Sequence, residues 1–112
     1  MIRIWHNPRC SKSRETLALI EEKGDVAVRK YLEDAPTEAE IRETLDLLGL
    51  KPIEMMRPRE TAFRDMGLSK TDPDDILIAA MVQEPKLIER PIVFANGKAA
   101  LGRPPEAVLD LF

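Results

Sequence analysis

The single cysteine of this 112-residue chain, Cys10, is the side chain best suited to chemistry. It lies in the segment WHNPRCSKSR, residues 5–14. A thiol reacts as its thiolate, a form that helix N-termini and neighbouring cations favour. Residues 1–14 carry four cationic side chains and no acid, although the whole chain has a net charge of −3. The segment therefore predicts a thiolate nucleophile that acts on an oxyanion.

The alternative interpretation of a lone cysteine is a small, inert side chain in the core. The polar neighbours of Cys10 and its place in a loop that enters a helix argue against that alternative. His6, four residues earlier, is a candidate to orient or charge the thiol, or a structural histidine. Ser11 and Ser13 are candidates either to bond the thiolate or to cap the helix.

Three arginines stand directly before prolines, at Arg57, Arg90 and Arg103. A residue before proline adopts extended backbone geometry and usually lies outside helices. Arginines held on loops or strand ends can be aimed together, and a guanidinium binds a tetrahedral oxyanion through two parallel hydrogen bonds. The alternative is that each of the three is a solvated surface charge.

The cysteine and histidine counts limit the kinds of site. One cysteine cannot form an internal disulfide, and one cysteine with one histidine cannot supply the four ligands of a structural zinc site. Ser13 stands where the second cysteine of a Cys-x-x-Cys pair would be. We therefore expect no metal and no internal redox pair, so thiol chemistry must use a thiol from another molecule.

Length, charge and hydropathy exclude several classes of protein. A length of 112 residues with 44% apolar content predicts one domain, residues 1–112. The net negative charge argues against a basic nucleic-acid-binding surface. No apolar run approaches the ~20 residues of a membrane span, and the N-terminus lacks a signal-peptide pattern. We expect a cytoplasmic protein that binds neither nucleic acid nor membrane.

The first third of the chain predicts a βαβ unit. Residues 2–5 alternate between apolar and polar as in a strand, and a helix is predicted from about Ser11 to a stop at Gly24. A second strand begins at Val26 and runs toward Tyr31. Two short strands joined by a helix predict a parallel pair. Cys10 falls at the cap of that helix.

The middle of the chain predicts helices. Thr37 and Glu40 have the spacing of a capping box, and the helix that they open ends at Gly49. Residues 51–66 predict one or two short helices interrupted by prolines. Residues 71–83 predict another helix, with a capping side chain, a proline in the first turn and acids near the positive end of the helix dipole.

The last third predicts a hairpin and a helix. Asn96-Gly97 is the strongest signal for a two-residue turn, here between strands at 92–95 and 98–101. Residues 104–106 open the final helix. A βαβ unit and a ββα unit separated by helices predict an α/β, thioredoxin-like fold with a helical insertion at about residues 34–86. Other α/β layouts with the same element order are also compatible with the pattern.

Three segments resemble the glutaredoxin-coupled arsenate reductase family. They are HNPRCSKSR at residues 6–14, LIERPIV at residues 87–93 and GRPPE at residues 102–106. The likeness runs in register over nearly all 112 residues. Three separated motifs in the same order are more specific than a lone cysteine motif.

The resemblance implies a thioredoxin-like core and a reaction in which the Cys10 thiolate attacks arsenate. Glutathione then resolves the thiol–arsenate adduct, glutaredoxin removes the glutathione, and arsenite is released. It implies no bound cofactor, with glutathione as co-substrate and glutaredoxin as partner. We expect the protein to act as a monomer.

The resemblance also implies that three arginines bind the oxyanion. By motif these are Arg90, Arg103 and an arginine of the segment MMRPR. In that segment the alignment register with the family favours Arg57 as the third arginine, and Arg59 is the alternative. Family members often have a cis proline at the position of Pro91. The segment around the cysteine matches a subgroup whose arsenate activity is usually assigned by similarity.

Two other functions are compatible with the sequence. One is a glutathione-linked thiol oxidoreductase that acts on another substrate. The other is a regulator that binds RNA polymerase, as relatives of the same fold do. Some of those regulators sense oxidation through a Cys-x-x-Cys pair, which Ser13 removes here, and Arg90 and Arg103 favour an anion site over a scaffold.

Overall fold

The computed structural model describes all 112 residues. The strands are β1 (Ile2–Trp5), β2 (Val26–Arg29), β3 (Ile92–Ala95) and β4 (Lys98–Leu101), and the helices are α1 (Ser11–Glu21), α2 (Glu38–Leu48), α3 (Thr61–Asp65) and α4 (Asp74–Gln83). Three 3₁₀ helices span Pro52–Met55, Pro85–Leu87 and Pro105–Leu111. The chain divides into two compact units, residues 1–34 with 90–112 and residues 35–89.

The first unit contains a four-stranded mixed sheet in the order β2-β1-β3-β4. β1 pairs in parallel with β2 and antiparallel with β3, and β3 pairs antiparallel with β4. The parallel pair is joined through α1, and the antiparallel pair through a tight turn. This arrangement confirms the predicted βαβ and ββα halves of a thioredoxin-like fold, with helices inserted between them.

Alternation along the strands sorts side chains onto the two faces of this sheet. One face builds a buried cluster with α1 and the last 3₁₀ helix, formed by Ile2, Ile4, Ile20, Val93, Ala95, Val108 and Leu111. The other face carries Trp5 and Phe94, whose ring centroids are 5.3 Å apart. The guanidinium of Arg3 lies 4.8 Å from the Phe94 centroid, a distance typical of cation–π contacts.

The hairpin between β3 and β4 turns at Asn96 and Gly97, as predicted. Their φ angles of 54° and 73° are the left-handed values that a type I′ turn requires. The Asn96 side chain also donates from Nδ2 to the carbonyl of Leu111 at 2.7 Å. The turn therefore holds the end of the last 3₁₀ helix against the hairpin.

Two predicted elements are shorter or tighter than their patterns suggested. β2 ends at Arg29 instead of continuing toward Tyr31, because Glu33 and Asp34 donate their N–H groups back to the carbonyl of Lys30 and close a turn. The last helix is 3₁₀ rather than α. Its opening prolines lack N–H groups, and its first bond runs from Ala107 N–H to Pro104 O.

The second unit consists of helices. α2 begins with the predicted capping box, in which Thr37 Oγ1 accepts from Glu40 N–H at 3.2 Å and Glu40 Oε1 accepts from Thr37 N–H at 2.9 Å. Arg42 of α2 pairs with Asp75 of α4 at 3.0 Å. α2 ends at Gly49, which has a φ of 67°. None of the helices is long and apolar enough to cross a membrane.

The predicted start of α4 is wrong in one respect. Pro73 occupies the N-cap position, and no side chain caps the helix. Asp72, the nearest candidate, accepts instead from the N–H of Ser69 at 2.8 Å and so stabilises the preceding turn. The expected acids are present in the first turn as Asp74 and Asp75.

Close packing at the end of β4 requires a glycine at position 102. Gly102 is buried and donates its N–H to the carbonyl of Pro91 at 2.9 Å. A Cβ at this position would lie 2.6 Å from Pro91 Cγ and 2.6 Å from Thr16 Oγ1. The loop that carries Arg103 therefore approaches α1 and Pro91 more closely than any side chain allows.

We predict that Gly102→Ala lowers the free energy of unfolding by about 1–3 kcal/mol, the usual cost of overpacking a rigid site. Urea denaturation measures this change. Gly102 has no left-handed φ, so the effect arises from space rather than backbone strain. An unchanged unfolding midpoint would contradict the rigidity of the contact with Pro91.

Candidate functional site

Cys10 is the N-cap residue of α1. Its backbone is extended, with φ −94° and ψ 123°, and its carbonyl accepts the first helical hydrogen bond, from Arg14 N–H at 3.0 Å. The N–H of Cys10 donates to the carbonyl of Asn7 at 3.0 Å, which closes the loop between β1 and α1. The N–H groups of the first helical turn point toward this cap, where they favour negative charge. The Cys10 residue is 9% exposed.

A buried hydrogen-bond network holds that loop in place. Nδ1 of His6 and Oγ of Ser13 are joined by a hydrogen bond of 2.7 Å, and Ser13 Oγ also accepts from the N–H of Asn7 at 3.0 Å. His6 follows β1, whereas Ser13 lies in the first turn of α1. Both side chains are almost fully buried. The network therefore fixes the end of the strand to the start of the helix, on either side of Cys10.

The network assigns roles to the serines and the histidine that the sequence left open. Ser13 bonds the loop and neither the thiol of Cys10 nor the end of the helix, which has no side-chain cap. Ser11 is exposed. His6 bonds Ser13 rather than Cys10.

His6 is held in its neutral form. Burial lowers the pKa of His6 below its ordinary value, and the charges of Lys30 and Arg14 lower it further, while Glu21 acts in the opposite direction. The imidazole is therefore uncharged near neutral pH. Positive charge near the thiol must come from other groups.

The remaining cations of the segment have different surroundings. Arg14 donates from Nη1 to the carbonyl of Pro8 at 2.9 Å and so supports the loop from the helix. Lys12 pairs with Glu15 at 3.8 Å on an exposed face. Arg9 is exposed, and its N–H donates to Oδ1 of Asn7 at 3.0 Å. Only the contact of Arg14 ties a cationic side chain to the loop itself.

Two of the three predicted arginines lie in the same unit as Cys10, and one of them contacts it. Nη2 of Arg103 lies 3.9 Å from the Cys10 sulfur, in donor geometry. Nε of Arg103 donates to the carbonyl of Arg90 at 2.9 Å, which joins the two loops. The Nε and Nη1 atoms of Arg90 are buried. The peptide bonds from Arg90 to Pro91 and from Arg103 to Pro104 are both cis; the first matches the expectation, and the second was not expected.

The third predicted arginine lies in the second unit. Arg57 pairs through Nη1 with Glu60 at 2.9 Å and through Nε with Glu89 at 3.8 Å, and its N–H donates to the carbonyl of Leu87. Arg59 is exposed. Participation of either arginine in anion binding stays a prediction.

Sequence reasoning missed three residues that shape the site. Asn7 and Arg14 hold the loop, and Gly102 allows the loop of Arg103 to approach α1. An asparagine before a proline is a turn signal, which could have marked Asn7. Nothing local marks the contact of Arg14 with Pro8 or the packing of Gly102. No group of three or more histidine, cysteine, aspartate or glutamate side chains is placed to hold a metal ion.

Comparisons with known proteins show which family this chain is similar to. The model of the ArsC family matches residues 5–111. An arsenate reductase of Neisseria meningitidis serogroup A is 47% identical over 110 residues, covering 96% of this chain and 94% of that protein. The Escherichia coli K12 protein YfgD, described as uncharacterized, is 49% identical over 113 residues, which cover 98% of this chain and 95% of that protein. A solved structure of an arsenate reductase from Vibrio cholerae has a TM-score of 0.94 and 49% identity, covering 99% of this chain and 97% of that one.

The neutral state of His6 predicts that the protein loses stability in mild acid. The folded pKa of His6 lies below its unfolded value of about 6.5, so the unfolded chain binds the proton more readily. The resulting contribution to stability is complete above pH ~6.5 and is lost as the pH falls through the folded pKa. We expect the urea midpoint to fall between about pH 7.5 and about pH 5.5.

The control for this prediction is His6→Asn, because an asparagine can place a polar atom near the position of Nδ1 without titrating. His6 is the only histidine in the chain, so this variant removes all histidine titration. We expect its midpoint to change less over the same pH interval. An equal change in both proteins would contradict the role of His6.

Proposed function

Because the chain belongs to the ArsC family, we propose that it is an arsenate reductase with Cys10 as nucleophile, and that glutathione and glutaredoxin supply the reducing electrons. The observation that carries this proposal is the contact of Arg103 with the Cys10 sulfur at the N-terminus of α1. There a thiolate and an incoming oxyanion would meet a guanidinium and a helix dipole. The relatives named arsenate reductase, at 40–47% identity, support the same substrate.

In the first step, the Cys10 sulfur bonds to the arsenic of arsenate. One arsenate oxygen leaves as water with the thiol proton and one arsenate proton, and the arsenic remains arsenic(V). A negatively charged nucleophile approaches a negatively charged centre in this step, so cations that stabilise charge on the oxygens lower the barrier. Arg103 and Arg90 would supply that charge, since His6 is neutral.

In the second step, the thiol of glutathione displaces another arsenic-bound oxygen, which also leaves as water. A glutaredoxin thiolate then attacks the glutathione sulfur, so the sulfur–arsenic bond breaks and its electron pair remains on arsenic. The arsenic becomes arsenic(III), and glutathione leaves as a mixed disulfide with glutaredoxin. Water finally replaces the Cys10 sulfur on arsenic, which releases arsenite and restores the thiol.

An external thiol fits a chain with one cysteine, because no internal thiol can resolve the adduct. We further propose that the protein works as a monomer in the cytoplasm, where glutathione is kept reduced.

We predict that Cys10→Ser abolishes arsenate reduction, and that Arg90→Ala and Arg103→Ala each lower kcat/KM for arsenate. A charged contact to a desolvated anion contributes about 2–4 kcal/mol, or a factor of about 30 to 1,000, and we expect the partly buried Arg90 to have the larger effect. The assay couples arsenate reduction to NADPH consumption through glutathione, glutaredoxin and glutathione reductase.

The matched control is Arg64→Ala, which removes an exposed arginine from α3 and is expected to change kcat/KM by less than about twofold. Wild-type protein that leaves arsenate unreduced, in a mixture where an established arsenate reductase turns over, would contradict the proposed function. Retained mixed-disulfide exchange under those conditions would point to the thiol oxidoreductase instead.

The third oxyanion arginine is tested by a pair of neighbouring variants. We predict that Arg57→Ala lowers kcat/KM for arsenate by at least about tenfold and that Arg59→Ala changes it by less than about twofold, as the family register implies. In the structure the guanidinium of Arg57 pairs with Glu60 and Glu89, so an oxyanion would have to compete with these two carboxylates. The opposite order of effects would assign the role to Arg59.

A further inference from the structure

A groove borders the loop that precedes Cys10. Residues 6–9 line one side, and Lys30, Leu32 and Glu33, in the turn after β2, line the other. Its volume is about 280 Å³, near the lower end for small-molecule sites. The two walls are fixed to each other, because His6 N–H donates to the carbonyl of Arg29 at 2.8 Å. The groove is therefore part of the first unit and lies directly beside the candidate site.

The charged side chains that line this groove form no salt bridge within the chain. Arg9 and Lys30 are exposed cations that form no salt bridge, unlike Arg42 and Arg57, which pair with carboxylates in the second unit. Glu33 is an exposed acid that also forms no salt bridge. Two cations and one anion thus face the groove without a partner inside the chain.

We propose that this groove binds the glutathione that resolves the Cys10 adduct, an inference that rests on the proposed function. Glutathione carries two carboxylates and one ammonium group. Arg9 and Lys30 would pair with the carboxylates, and Glu33 would pair with the ammonium. The pattern of two cations and one acid is the complement of the charges on this tripeptide.

The position of the groove suits a thiol that must reach Cys10. Arg9 is bonded to Cys10, so their Cα atoms are about 3.8 Å apart. The carbonyl of Asn7, on the same wall, accepts from the Cys10 N–H at 3.0 Å. Leu32 is 41% exposed and, with Pro8, offers apolar surface between the charged groups. A tripeptide lying here would have its ends held by charges and its central cysteine beside the loop that leads to Cys10.

The test uses a reaction that does not involve arsenate. Reduced protein attacks glutathione disulfide, so that the Cys10 sulfur bonds to one glutathione sulfur, the disulfide bond breaks, and the other glutathione leaves as a thiolate. We expect Arg9→Gln and Lys30→Gln each to slow this reaction by about threefold, the size of one exposed ion pair, and the double variant to slow it by about tenfold. The same variants should react at the wild-type rate with 2-hydroxyethyl disulfide, which has no charges.

Two further variants separate specific contacts from overall electrostatic attraction. Lys12→Gln removes a cation that is close to Cys10 in the sequence but does not line the groove, and it should change the rate with glutathione disulfide by less than about twofold. Glu33→Gln makes the protein less negative, so overall attraction would speed the reaction of this anionic disulfide. Loss of the contact with the ammonium group should instead slow it by about twofold to threefold.

Equal slowing with both disulfides would show altered thiol reactivity and would overturn the groove assignment. Unchanged rates for Arg9→Gln and Lys30→Gln, or faster reaction of Glu33→Gln, would also overturn it. If only the proposed function is wrong, the result is different. The protein then does not reduce arsenate, but its reaction with glutathione disulfide is still slowed by the groove variants while its reaction with 2-hydroxyethyl disulfide is not.

Discussion

The hydrogen bond between His6 and Ser13 is the contact on which the geometry of the site depends. It joins the residue after β1 to the first turn of α1 at 2.7 Å, in surroundings where neither partner can turn to water. Loss of one partner of such a buried bond leaves the other unsatisfied at a cost of about 1–3 kcal/mol. Because Cys10 lies between the two residues, the bond also sets where the thiol meets the end of the helix.

The same network determines which side chains near the Cys10 thiol are charged. A buried histidine beside Lys30 and Arg14 is neutral, so it can bridge two elements without a counter-ion. The positive charge at the thiol comes instead from Arg103 and from the helix N-terminus. Arginine keeps its charge at all relevant pH values, whereas histidine would lose it near neutrality. A neutral histidine in the scaffold, next to an arginine that keeps its charge, suits a site for an anion.

Local signals in the sequence predicted the parts of the fold that depend on neighbouring residues. The capping box of Thr37 and Glu40 and the turn at Asn96-Gly97 each place their own hydrogen bonds within a few positions, so both formed as predicted. Cys10 at the helix cap followed from the same kind of pattern. The βαβ order then allowed the fold class to be inferred before any distant contact was known.

Contacts between distant residues could not be predicted in this way. The approach of Arg103 to Cys10 spans 93 positions and depends on the close packing of Gly102 against Pro91 and Thr16. The partners of Arg57 depend on how the chain returns at Glu89. The Arg-Pro pattern made Arg90 and Arg103 candidates, and the family resemblance implied their role at the oxyanion, because it carries information about the folded protein that local patterns lack. It did not supply the partner of Ser13.

Ser13 links the architecture of the site to the external thiol that the proposed function requires. A cysteine at this position would complete a Cys-x-x-Cys pair, but its sulfur is a weak hydrogen-bond acceptor and is larger than a hydroxyl oxygen. The hydroxyl now accepts from Asn7 N–H while it bonds His6, so a thiol there would weaken both contacts in a buried place. A resolving cysteine at position 13 would therefore weaken the network that positions Cys10. Under the proposed function the second thiol enters from solvent, and the charged groove beside the loop is the site that we propose for it.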